Sequence, residues 1–237
     1  MSNTYFRFKQ FTIHQDKCAM KASTDACIAG AWTELPQGAK RVLDIGTGTG
    51  LLALMLAQKY PDIIIDAIEL DAEAAAQAVE NTKSSSWGNR INIIQGDATI
   101  YPFTPAYDFV ITNPPFFNNS LLSITDSRNI ARHTLSLNYQ SLFDILDNCL
   151  NEPGMASVLL PYTEHRQWEK LLQDNNWHIV KKLLIHPGED KPANRVVSIC
   201  SRNSSIICTE EHLYIRNSNG DYTDVFQQLM YPYYLDK

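Results

Sequence analysis

Arg41–Ile45 is a short β-branched and aliphatic run. It is followed without a gap by Gly46-Thr47-Gly48-Thr49-Gly50 and then by the apolar stretch Leu51–Tyr60. Few folds accept this order. The first run reads as a buried strand and the last as a helix, and the glycines between them let the backbone turn tightly and approach a ligand closely. The same alternation continues down the chain. Strands are expected at 63–68, 91–95, 108–112, 155–160, 179–186 and 195–200, with helices at 72–84, 138–151 and 164–175. Strands alternating with helices argue an α/β fold with a mostly parallel sheet and helices on both faces. The last two strands have no helix between them and predict an antiparallel hairpin at the sheet edge. Ser23-Thr24-Asp25 caps a short helix running to about Trp32, and the first ~20 residues read as a hairpin or extended arm. The tail after Ser204 is ambiguous, with a helix possible over 221–230. With 237 residues the chain is long enough for one full core. A single domain over 1–237 is expected, with 1–35 an arm and helix preceding the core.

Composition excludes several classes. The net charge of −6 rules out a wholesale basic coat. No apolar run reaches the ~18 residues needed to span a bilayer, and the N-terminus lacks the apolar region of a signal peptide. The five cysteines are scattered without a C-x-x-C pair, so neither a disulfide framework nor a zinc site is expected. A cytoplasmic protein without membrane, metal or obligate protein partner is the expectation.

The loop reads G-x-G-x-G, not the dinucleotide fingerprint G-x-G-x-x-G, because position 51 is Leu. Asp44 stands just before it, and an acid at that mouth suits a positively charged ligand better than a pyrophosphate. Gly46, Thr47, Gly48 and Gly50 are the loop's candidate contacts. Glu69, at the end of the second core strand, can accept hydrogen bonds from both ribose hydroxyls. Asp97, after the third, can take an adenine amino group. Asn113-Pro114-Pro115-Phe116 follows the fourth.

This order resembles the class I S-adenosylmethionine-dependent methyltransferases over about residues 40–200. The resemblance implies a Rossmann-like methyltransferase fold with a seven-stranded sheet. It also implies S-adenosyl-L-methionine as cofactor across the carboxyl ends of the first strands, with Asn113 among its contacts. Asn-Pro-Pro-Phe is similar to the motif of amino-group methyltransferases acting on adenine, guanine or a glutamine amide. An adenine amine is a poor nucleophile, because its lone pair is delocalised into the ring. A site that methylates it must accept both amine hydrogens. Asn113 offers a side-chain carbonyl, Pro114 a backbone carbonyl from a stiff turn, and Phe116 a flat face for a flipped base.

Phe6–Ile13, Lys21–Asp25, Gly30-Ala31-Trp32 and Asp126–Thr134 resemble the bacterial valine-tRNA adenine-N6 methyltransferases, which extends the resemblance over nearly the whole chain. That family modifies the adenine directly 3′ to the anticodon, adenine-37. Ala22 departs from its expected Val, and Ser23 from Gly. The alternatives are a guanine-N2 or protein-glutamine methyltransferase, or a non-catalytic RNA-binding module on the same fold. Three segments carry local positive charge. Residues 1–21 hold a net of +3, 127–141 a net of +2 and 178–202 a net of +3, within a chain of −6. Gathered on one face they would bind phosphates. Lys9, Lys21, Arg128, Arg132 and Arg195 are the candidate tRNA contacts. His133, a lone histidine beside Arg128 and Arg132, is read as structural or RNA-facing in preference to a catalytic base.

Overall fold

The computed structural model describes residues 3–104, 106–115 and 137–236. Strands β1 (Tyr5–Arg7) and β2 (Thr12–His14) form a small antiparallel sheet, with Phe6 opposite Ile13. Helix α1 (Thr24–Trp32) follows. Its N-cap Ser23 accepts a hydrogen bond from the Ala26 N–H, as the sequence suggests. The core then runs β3 (Arg41–Ile45), α2 (Leu51–Lys59), β4 (Ile64–Glu69), α3 (Ala72–Lys83), β5 (Ile91–Gln95), β6 (Tyr107–Thr112), α4 (Tyr139–Cys149) and β7 (Leu150–Pro161). It ends with α5 (Tyr162–Asp174), β8 (His178–His186), β9 (Arg195–Ser201), β10 (Thr209–Tyr214) and α6 (Asp224–Met230).

The main sheet has the order β10-β8-β9-β7-β6-β3-β4-β5. Strand β9 runs antiparallel to both β7 and β8, and the remaining neighbours are parallel. The seven expected strands and their antiparallel pair are present. That pair is not outermost, however. Strand β10 adds parallel to β8, from Thr209 opposite Lys181 to Tyr214 opposite His186. Its sequence, Thr-Glu-Glu-His-Leu-Tyr, carries no apolar period; beside its backbone pairing and the buried Leu213, it carries charge pairs to its neighbour. Lys181 pairs with Glu211 at 3.2 Å and Lys182 with Glu210 at 2.8 Å, and Trp32 Nε1 donates to Glu211 at 2.7 Å.

The period of two along the strands sends alternate side chains to opposite faces. Val42, Phe109 and Ile111 join an apolar core built with α1, α2 and the arm's Phe8, Phe11 and Ile13. Leu43, Val110 and Leu160 join a second core with α4 and α5, where Trp168 and Leu172 are fully buried. Helix α2 is apolar all round because it is covered all round: Leu51 through Ala57 are buried without a break. The strand order turns at β3. From there β4 and β5 lie to one side, and β6 and β7 to the other. Such a switch point opens a crevice at the carboxyl ends of the strands. No helix among the described residues is long and apolar enough to cross a membrane.

Candidate active site

A cavity of about 370 Å³ lies at that switch point, walled by the carboxyl ends of β3, β4, β5 and β6. The glycine loop forms one wall. Its fold is fixed by two donors: the Gly46 and Thr47 N–H groups both bond the Ile68 carbonyl, at 2.9 and 3.1 Å. Gly46, Gly48 and Gly50 have φ of +70, +54 and +83°, a region in which an L side chain is strained. Gly46 and Gly48 face the cavity. Gly50 instead caps α2, and Thr47 is buried beneath the loop.

Glu69 lines the cavity with its carboxylate already oriented. Oε2 accepts the Gly48 N–H at 2.8 Å, and Oε1 accepts the Asp71 N–H at 3.0 Å. Each oxygen keeps a lone pair for a further donor such as a ribose hydroxyl. Asp97, also on the cavity, is braced by Thr99, whose N–H and hydroxyl both donate to Oδ1, at 2.9 and 2.7 Å. Its Oδ2 has no partner among the described residues.

Asn113 directly follows β6, which the Thr112 hydroxyl ties to the Ile45 carbonyl of β3 at 2.8 Å. The Asn113 Oδ1 is buried on the cavity and has no hydrogen-bond partner among the described residues. An orphaned buried acceptor costs about 1–3 kcal/mol, which a donor on the occupant removes. Pro114 is buried and Pro115 exposed on the rim. Phe116, Arg128, Arg132 and His133 lie outside the described residues.

Asp44 is not at the mouth, where the sequence reading put it. It is fully buried under the loop, takes the Thr47 hydroxyl on Oδ2 at 2.6 Å, and leaves Oδ1 without a hydrogen-bond partner among the described residues. Burial pushes its carboxyl up to about 7, with the Thr47 hydrogen bond only partly offsetting the loss of water. The reason for the misplacement is the strand's period: Asp44 sits inside β3, and its side chain is enclosed with the loop folded over it.

The basic candidates are engaged inside the protein. Lys9 donates to the Tyr231 carbonyl at 2.9 Å, pairs with Asp236 at 2.7 Å and lies over the Tyr231 ring. Lys21 donates to the Asn3 carbonyl at 3.1 Å, and Arg195 pairs with Asp25 at 3.2 Å. In the segment 178–202, Lys181, Lys182 and Arg202 also pair with carboxylates. These charges are therefore partly taken up within the protein.

The sequence reading missed a whole wall. Cys18, Ala19 and Met20 of the N-terminal arm line the cavity, as do Leu70, Asp71 and Leu137. No local signal marks the arm residues, because their place depends on contacts with α3. Apolar walls at Ile45, Ile68, Leu70 and Ala98, with carboxylates at Glu69 and Asp97, suit a nucleoside. Among the described residues no cluster of His, Cys, Asp and Glu could hold a metal ion.

Comparison with known proteins agrees with this chemistry. Residues 26–135 match the family model of the Methyltransferase small domain. A protein of Dyadobacter fermentans described as tRNA1(Val) (adenine(37)-N6)-methyltransferase is 40% identical over 236 residues, covering 98% of each chain. One of the same description from Proteus mirabilis is 39% identical over 97% of this chain and 93% of its own. Among solved structures, a predicted O-methyltransferase from Agrobacterium tumefaciens superposes with a TM-score of 0.68 at 16% identity, over 88% of this chain and 96% of that one. M. jannaschii TYW2, solved in complex with AdoMet, gives 0.55 at 14% identity, over 85% of this chain and 86% of its own. At these identities the two structures speak for the fold.

Proposed function

This chain belongs to the tRNA1(Val) (adenine(37)-N6)-methyltransferase family, and from that premise we propose that it methylates N6 of adenine-37 in valine tRNA, with S-adenosyl-L-methionine as methyl donor. The reading makes it a cytoplasmic enzyme that needs no metal. We read residues 1–237 as one unit, supported by the arm's Phe8, Phe11 and Ile13 sharing an apolar cluster with α1 and α2.

When bound, the cofactor supplies a methyl group on a positively charged sulfur. The chain's own residues do the positioning. Glu69 is the candidate acceptor for the ribose hydroxyls, since both of its oxygens are aimed by backbone donors and keep free lone pairs. Asp97 offers its unpartnered Oδ2 to the cofactor's adenine amine. Gly46 and Gly48 let the backbone approach without a side chain in the way. Asp44 acts from below, holding the loop through Thr47.

The observation that carries the reading is the Asn113 Oδ1, buried on the cavity with no partner among the described residues. It awaits a donor, and an exocyclic amine is one. With the Pro114 carbonyl as second acceptor, both amine hydrogens are held and the N6 lone pair is aimed at the methyl carbon. On transfer the sulfur–methyl bond would break as the N–C bond forms, S-adenosylhomocysteine would leave, and N6 would become positive until it gives one proton to water; the two acceptors would stabilise that charge more in the transition state than in the ground state. The amine need not lose a proton before transfer. Phe116 is the proposed stacking face, and Arg128 and Arg132 the proposed phosphate contacts.

The test is single-turnover methylation of valine tRNA. Asn113→Ala should slow transfer by about 10²–10³-fold, with cofactor affinity nearly unchanged. Asn113→Asp, which still accepts hydrogen bonds, should retain part of the rate. Nucleoside mass spectrometry should find N6-methyladenosine. Methylguanosine, or label transferred to protein glutamine, would replace this reading with one of its rivals. An Asn113→Ala enzyme as fast as wild type would reduce the motif to a structural turn.

A further inference from the structure

We propose that Asn81, on α3 and outside the cavity wall, is a positioning residue for cofactor capture, locking the N-terminal arm and the glycine loop into one frame. The proposal rests on the reading of the cavity as the cofactor site.

Asn81 is 1% exposed, and its amide has three partners. Oδ1 accepts the His14 N–H at 2.9 Å. Nδ2 donates to the His14 carbonyl at 2.9 Å and to the Thr49 carbonyl at 2.9 Å. His14 ends β2, and Cys18, Ala19 and Met20, a few residues on, wall the cavity. Thr49 lies between Gly48, whose N–H holds Glu69, and Gly50. One side chain therefore joins a wall from residues 14–20 to a wall from residues 46–50.

Gln77, one turn earlier on the same helical face and also 1% exposed, repeats half of the device. Its Oε1 accepts the Lys17 N–H at 3.1 Å, and its Nε2 donates to Asp16 Oδ1 at 2.7 Å. Gln77 holds the arm without reaching the loop. The front of the arm is secured separately. Phe8 stacks on Phe11 at 4.5 Å between ring centroids, and the Lys9 N–H bonds the Tyr233 carbonyl at 2.7 Å. Loss of Asn81 thus unties residues 14–20 from the glycine loop while the front of the hairpin stays docked. The same helix is capped by Asp71, whose N–H holds Glu69 Oε1, so three walls take their position from α3 and its cap.

The test uses the full chain and S-adenosylhomocysteine, with binding measured by calorimetry. Asn81→Leu removes every bond. Asn81→Asp keeps an acceptor for the His14 N–H but faces the His14 and Thr49 carbonyls with lone pairs. Both should weaken binding by about 10- to 100-fold, from buried carbonyls left unpaired. Turnover at saturating cofactor and the KM for tRNA should stay within about twofold, a split that follows from a role confined to binding. Trypsin should cut wild type at Lys17 and Lys21 more slowly when the ligand is present, and this protection should vanish in both variants. Gln77→Leu, which leaves the Thr49 bond intact, should loosen the arm to trypsin with a smaller loss of affinity than Asn81→Asp, the near-isosteric variant that decides the matter if Asn81→Leu does not fold. Wild-type affinity in the folded variants, or a fall in saturated turnover with affinity intact, overturns the proposal. Wild type failing to bind the ligand at all would instead refute the reading of the cavity.

Discussion

Asp44 and His165 are buried titratable groups with opposite consequences for stability. Burial pushes the Asp44 carboxyl up to about 7 from its ordinary value of 3.8. Between those values the unfolded chain loses its proton first, so this group makes the fold less stable as pH rises from about 4 to about 7, by up to about 4 kcal/mol. Burial, helped by the Lys182 charge, pushes the His165 imidazole down to about 4 from 6.5. There the unfolded chain takes up its proton first, so stability falls as pH drops through the same range. The two slopes oppose each other in wild type. Urea midpoints between pH 4.5 and 6.5 should therefore climb with pH in Asp44→Asn and decline with pH in His165→Gln. Parallel curves for the two variants would show that neither group titrates in the fold as described. At Asn113 the decisive feature is of another kind, an unmatched acceptor, and its effect is expected in rate.

At the scale of elements, the strand–loop–helix unit β3–α2 carries the tightest constraint. Gly50 has φ of +83°, and a Cβ there would meet Thr82 Cγ2 at 3.4 Å. Gly50→Ala should lower stability by about 1–2 kcal/mol from the backbone strain alone, and should weaken cofactor binding by shifting the loop off Asn81. A denaturation curve and a ligand titration on one preparation check both. This unit was legible because everything that defines it lies within twenty residues. Strand β10 was not. Its polar residues acquire strand character only beside Lys181 and Lys182, about thirty positions earlier in the chain. The arm is a similar case. Its hairpin shows weakly as alternating aromatics, whereas its role as a cavity wall depends on Gln77 and Asn81, which an alanine-rich helix pattern does not single out.

For the whole molecule, a chain of net charge −6 must bind a polyanion through local charge. Pairing within the fold narrows where that charge is free to act. Lys9→Ala should lower stability by up to about 1 kcal/mol, because it breaks a partly exposed clamp to the C-terminal tail. It should leave the salt dependence of tRNA binding unchanged. Neutralising Arg128 and Arg132 together should instead flatten the log–log salt slope by about 0.7–0.9 for each lost contact. Equal slopes for the Arg128/Arg132 double variant and wild type would remove these arginines from the interface.

The strands, most helices and the candidate acids and amide at the strand ends followed from residues close together in sequence. Parallel strands deliver their carboxyl ends to one edge, so Glu69, Asp97 and Asn113 had to meet once the alternation was recognised. What the chain order left open is what long-range contact decides. The Asp44 carboxylate is sealed under the loop, and the arm closes the cavity through Asn81, 67 residues from His14. Lys9 is claimed by Tyr231, 222 residues away. A lysine or an aspartate carries the same formal charge in any sequence. Whether it meets water, a phosphate or a partner inside the protein depends on its neighbours in space, and those exist only after the sheet has formed and the two ends of the chain have packed onto it.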